Sequence, residues 1–173
     1  MELIIDLVKI IVPAGLVLYA VYLTLRTFLN REAQKQYVDI KSKNLETVLP
    51  LRLQAYERLC LFLERITPAN LFRRLNKQGL TALQLQQIAI KEIRDELNHN
   101  LSQQVYISDE VWHLVQQSSE EVIAIINQGA EGMSAESQGS ELAKKVFNIN
   151  MNLDIEPTKV ALLKLKEEAR MLY

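Results

Sequence analysis

Two short runs have the residue types and spacing of a metal site: Glu96-Leu97-Asn98-His99 and Glu110-Val111-Trp112-His113. A carboxylate and an imidazole three residues apart share one helix face, and two such dyads on facing helices supply half the ligands of a di-iron carboxylate centre. The chemistry of such a centre is metal-dependent oxidoreduction in the core of a helical bundle. Its remaining acids are not in place, because Glu57 and Glu64 fall on the polar face of their own segment. Both histidines also lie roughly 160–170° around the helix from the apolar stripes of their segments, where a bundle core cannot enclose a metal. Exposed histidines are the favoured reading, with no cofactor and no catalytic residue assigned. Glu96, His99, Glu110 and His113 stay as the ligands of the metal-binding alternative.

The other candidates offer less. Cys60 sits at the edge of an apolar face, with no histidine or basic partner placed by spacing to activate it, and reads as a small buried hydrophobe. Gly129, Gly132 and Gly139 lack the strand-to-helix context of a phosphate-binding loop. Trp112, the single tryptophan, reads as core packing or a protein contact.

These residues need elements to position them. The chain has 173 residues, 49% hydrophobic and 24% charged, with a formal net charge of −1, which suits folded rather than disordered chain. One cysteine excludes an intramolecular disulfide framework, and five glycines with four prolines exclude collagen-like or low-complexity chain. From Ile10 to Leu25 the sequence IIVPAGLVLYAVYLTL carries no charge. With apolar residues on both sides it predicts one transmembrane helix over about 5–27, inside an anchor of residues 1–29. A cleaved signal peptide fits worse, since Glu2 and Asp6 outnumber Lys9 ahead of the apolar run. Arg26, Arg31, Lys35, Lys41 and Lys43 follow it, so the positive-inside rule places the C-terminal part in the cytoplasm. Arg26, Arg31 and Lys35 are the expected contacts to the membrane surface.

Beyond the anchor, helical spacing and helix start signals recur and no strand pattern is sustained. Residues 30–49 read as a polar helical stalk that Pro50 stops or kinks. Residues 50–173 read as a helical domain, with a flexible glycine- and serine-rich segment at about 127–141. In the first domain helix Leu51, Ala55, Leu59, Phe62, Leu63 and Ile66 share one face with Tyr56. Thr67-Pro68 and Thr81-Ala82-Leu83-Gln84 start the next two helices, with Leu83, Ile90, Ile93, Leu97 and Leu101 as the stripe of the second, which runs to about Val105. Ser108 caps a helix whose buried stripe is Val111, Val115, Val122 and Ile126, with Trp112 and Ile123 beside it. The last helix starts at Pro157. The expected fold is all-α: one N-terminal transmembrane helix followed by a small cytoplasmic antiparallel bundle.

Near-zero net charge hides a split. Residues 26–78 hold eleven basic and five acidic side chains, whereas residues 79–132 hold two basic and eight acidic ones. Complementary packing within one bundle explains this most simply, and a basic half lying on anionic lipid is the alternative. The basic residues are scattered with few aromatics between them, so no nucleic-acid partner is expected.

The segments LPLRLQAYERLCLFLERI (49–66) and LSQQVYISDEVW (101–112) are similar to those of an uncharacterised bacterial family of short, N-terminally membrane-anchored, all-helical proteins. That resemblance covers most of the chain and implies the bacterial inner membrane, with no known activity and no catalytic residues. The expected function is a single-pass membrane-anchored scaffold or adaptor. Its expected partners are the lipid bilayer and a protein partner or a second copy of the chain. The alternatives are the metal-binding oxidoreductase above and an anionic-lipid-surface binding module.

Overall fold

The computed structural model describes the backbone of residues 2–75 and 79–172, and the side chains of these residues except 2–10, 12–14, 33 and 36–45. Six α-helices run in order: α1 (Glu2–Ile66), α2 (Pro68–Leu75), α3 (Ala82–His99), α4 (Asp109–Ala130), α5 (Gly139–Met151) and α6 (Pro157–Arg170). A 3-10 helix, Leu101–Tyr106, joins α3 to α4. Among the described residues no strand forms beyond the isolated bridge between Thr81 and Gln138, so the all-helical expectation holds. The chain divides into two units, Met1–Val48 and Leu49–Tyr173.

The transmembrane expectation is corrected. Among the described residues no helix is long and apolar enough to cross a membrane. In the first unit the uncharged run with described side chains extends from Gly15 to Leu25 and contains Tyr19, Tyr22 and Thr24. The uncharged run of the sequence, Ile10 to Leu25, covers about 24 Å at ~1.5 Å per residue, against a hydrocarbon core of ~30 Å. Arg26, Arg31 and Glu32 end it. Residues 5–10 and 12–14 of the expected span lie outside the described side chains. A single-pass inner-membrane protein with its C-terminal part in the cytoplasm is therefore not supported.

Each described side chain from Gly15 to Glu32 is exposed, among them Leu16 at 65%, Leu18 at 70% and Phe28 at 62%. The hydroxyls of Thr24 and Thr27 donate to the carbonyls of Ala20 and Leu23, both at 2.8 Å, so the helix satisfies its own polar side chains here. Pro50 does not end α1. Proline removes one N–H from the helical ladder, the one that would have bonded the carbonyl of residue 46, and the helix continues through it.

The second unit holds the core. The C-terminal part of α1 buries Ala55, Tyr56, Leu59, Phe62, Leu63 and Ile66, as its spacing predicts, while Leu51 is 45% exposed. Helix α4 is the most enclosed, packing against α3, α5 and α6 and burying Val111, Trp112, Val115, Val122, Ile123, Ile125 and Ile126. Gly129 belongs to that packing rather than to a loop. A Cβ there would lie 2.6 Å from Cγ2 of Val146 on α5, so only glycine lets the two helices approach this closely. The link between α4 and α5 is accordingly residues 131–138, shorter than the expected 127–141.

Local chemistry accounts for the helix starts. Thr67 Oγ1 accepts from the N–H of Asn70, and Pro68 opens α2. Thr81 and Gln84 form a reciprocal capping box at α3. The starts of α3 and α5 are tied together, since Ala82 N–H donates to Ser137 O at 2.7 Å and Gly139 N–H to Leu80 O at 2.9 Å. The stripe of α3 departs from expectation. Ala82, Leu85, Ala89 and Ile93 are buried, whereas Leu83 and Leu101 are 43% and 41% exposed. Two alanines turn the helix inward by allowing close approach, a signal that weighing large apolar residues overlooks.

Candidate functional site

Two polar constellations converge on the C-terminal part of α1, both within the second unit. The first is centred on Glu168 of α6. Its Oε1 accepts from the Tyr56 hydroxyl at 2.6 Å and from the Ser108 N–H at 2.9 Å, and its Oε2 accepts from the Ser108 hydroxyl. Arg52 donates through Nη2 to the Tyr56 oxygen at 3.2 Å and through Nε to the carbonyl of Tyr106 at 3.1 Å. Ser108 is also the N-cap of α4, its Oγ accepting from the N–H of Val111 at 3.3 Å. The carboxylate thus fastens α6, α1 and the start of α4, where the helix dipole favours negative charge.

Partial burial of Glu168 opposes its ionisation. The hydrogen bonds from Ser108 and Tyr56 and the charge of Arg52 together outweigh that effect and hold the carboxyl below its ordinary pKa. Tyr56 moves the other way: burial first, then its bond to the Glu168 carboxylate, pushes the phenol up. Both groups keep their ordinary charge states at neutral pH. The arrangement is a clasp: Tyr56 and Ser108 donate to the Glu168 carboxylate, and Arg52 ties the Tyr56 oxygen to the carbonyl of Tyr106.

The second constellation is an open cleft of about 320 Å³ between α1 and the end of α3, lined by Arg58, Leu61, Phe62, Arg65, Glu96, His99 and Asn100. Asn100, only 4% exposed, forms a fixed polar point at its base. Its Nδ2 donates to the Glu96 carbonyl at 2.8 Å, and its Oδ1 accepts from Arg58 Nε at 3.3 Å. Arg58 Nη2 reaches the His99 carbonyl at 3.4 Å. Arg65 pairs with Glu96 at 2.5 Å and approaches Glu92 at 3.9 Å, while Arg74 of α2 pairs with Glu92 at 3.0 Å. These bridges join the basic and acidic parts of the sequence, so complementary packing within the domain accounts for part of the charge split. Phe62 forms the buried floor, and Leu61 is 56% exposed at the wall.

The sequence-derived candidates are distributed as follows. Glu96 and His99 line this cleft, with Glu96 engaged by Arg65. Glu110 and His113 are exposed in the first turns of α4 and do not line it; Glu110 lies 3.9 Å from Lys164 of α6. The structure does not assemble the two dyads, and among the described residues no group of three or more His, Cys, Asp or Glu side chains is placed to hold a metal ion. Cys60 is half-buried, and burial pushes its thiol up, with Glu64 and Glu57 adding to this and Lys166 opposing it. That raised pKa makes it a poor nucleophile at neutral pH. Arg26, Arg31 and Lys35 are exposed on α1 in the first unit. Sequence reading missed Glu168, Arg52, Arg58 and Asn100, whose partners lie 42 to 112 residues away for the bonds of Arg58 to Asn100 and Tyr56 to Glu168. No local pattern signals pairs at such separations.

No curated protein and no solved structure matches the chain. A family model matches residues 2–172, nearly the full length, which agrees with the expectation of an uncharacterised family. The chain belongs to DUF7935, a family of unknown function.

Proposed function

We propose that the protein is a helical scaffold or adaptor that works by binding another protein rather than by catalysis. The observation that carries this reading is the exposed apolar surface of α1 in the first unit. Leu16, Val17, Leu18, Tyr19, Val21, Tyr22, Leu23, Leu25, Phe28 and Leu29 are 41–70% exposed there. A contiguous apolar surface of this kind is costly in water and marks an interaction site. The second unit suits the role of a presented domain, with its core closed around α4 and α1, α4 and α6 fastened by the Glu168 network.

Site-specific photo-crosslinking on the full chain, in the cells that produce it, tests the proposal. A benzophenone side chain at Leu18 or Tyr22 is expected to yield a discrete protein adduct, whereas one at the exposed, polar Glu64 is not. Identical patterns at all three positions would sink the adaptor reading.

A further inference from the structure

Within the cluster that borders the cleft, three guanidinium groups (Arg58, Arg65 and Arg74) face two carboxylates (Glu92 and Glu96). Arg65 and Arg74 take both. Arg58 is bonded only to neutral acceptors, Asn100 Oδ1 and the His99 carbonyl, and no carboxylate lies in ion-pair range of it among the described residues. A guanidinium has five N–H donors in a planar fork, and these contacts use two of them. Arg58 is itself half-buried, so its charge is less well hydrated than that of a free arginine, while Asn100 fixes its orientation from beneath.

From these features we infer that the cleft is a docking site for an acidic amphipathic segment of a partner protein, whose carboxylate seats on Arg58 beside an apolar side chain packed on Leu61. Charge complementarity selects this occupant. The cluster has one uncompensated positive charge, which matches a single carboxylate and allows bidentate pairing. A phosphate dianion, or a nucleic-acid backbone with its run of phosphates, would bring more negative charge than this cluster balances and is disfavoured. The exposed Leu61 above the buried Phe62 supplies the apolar contact that a bare anion would not use. This inference rests on the adaptor reading and names the chemistry of its partner.

The test is a titration of the full chain with a short, fluorescently labelled helical peptide of leucine and glutamate, read by anisotropy. Saturable binding is expected, weaker by about tenfold or more for Arg58→Gln, as loss of a charge-assisted pair entails. A glutamine-for-glutamate peptide should lose a similar factor on the parent chain and little further on Arg58→Gln. Leu61→Ser, at an exposed position that leaves the core untouched, should weaken binding while leaving the urea unfolding midpoint unchanged. Absence of saturable binding, or equal affinity for the parent chain, Arg58→Gln and Leu61→Ser, overturns the assignment. Displacement of the peptide by hexanoate at concentrations comparable to the peptide's own also overturns it, since the cleft would then take a free acid. If the cleft variants have no effect while the Leu18 and Tyr22 crosslinks persist, the docking site falls and the adaptor reading stands. If the crosslinks are absent while the peptide binds through Arg58, the first-unit surface falls as a binding site and the cleft alone carries partner binding.

Discussion

Arg52 and Arg58 stand six residues apart on α1 and both reach carbonyls of the chain leaving α3, Arg52 at Tyr106 and Arg58 at His99. Around Arg52 the network closes. Its guanidinium supports Tyr56, which donates to Glu168, and Glu168 in turn holds the N-cap of α4. Around Arg58 it stays open, since the nearby carboxylates are taken by Arg65 and Arg74 and its own acceptors are neutral. The same residue type on the same helix thus serves two purposes, decided by where the chain brings a carboxylate. A guanidinium with its anion in place holds elements together, and one without it is available to another molecule.

Variants can break this contrast at several levels. Phe62→Ala should abolish both behaviours, because that fully buried ring is the floor of the cleft and part of the core on which both arginines rest. A loss of about 3–5 kcal/mol is expected by urea denaturation. Glu168→Gln comes next, at about 1.5–3 kcal/mol, the range for hydrogen bonds to a charged group. Its effect should depend on pH with a definite sign. The folded state lowers the Glu168 pKa below the ordinary 4.5, so its stabilisation is present above that value and disappears as pH falls through the lower folded-state pKa. The gap in unfolding midpoint between the parent chain and Glu168→Gln should therefore be constant near neutral pH and shrink in acid. A gap that persists unchanged in acid would show that ionisation of Glu168 has no part in the clasp. The smallest effect sharpens the contrast most. Arg52→Gln and Arg58→Gln should each cost about 1 kcal/mol, since each guanidinium makes two hydrogen bonds, but only the Arg52→Gln loss should shrink in acid together with that of Glu168. An equal pH dependence at the two positions would make Arg58 a second clasp.

Much of the scaffold is legible in the sequence. Pro68 and Pro157 at helix starts, the Thr81–Gln84 box and the Ser108 cap are local chemistry, complete within four residues, and the structure contains all of them. The apolar faces of α1 and α4 are large and periodic, and they are buried nearly as expected. Pattern failed where small residues or distant partners decide. Ala82 and Ala89 set the buried side of α3, and Gly129 lies inside α4, packed against α5, in a stretch that composition alone marks as loop. The clasp needs Ser108 and Glu168, 60 residues apart, and the cleft needs Arg58 and Asn100, 42 apart. The apolar run near the N-terminus misled for a different reason. Hydropathy registers that such a surface needs cover but does not identify the cover, and no helix among the described residues is long and apolar enough to cross a membrane.

The measurement that bears most directly on the contrast between the closed network at Arg52 and the open cleft at Arg58 is photo-crosslinking from Leu61 in the full chain, with the adduct mapped by mass spectrometry. The expected result is a cross-link to a partner segment in which aspartate or glutamate flanks an apolar residue, lost in Arg58→Gln while the fold is unchanged. A Leu61 adduct that maps elsewhere, that survives Arg58→Gln undiminished, or that does not form at all would contradict it.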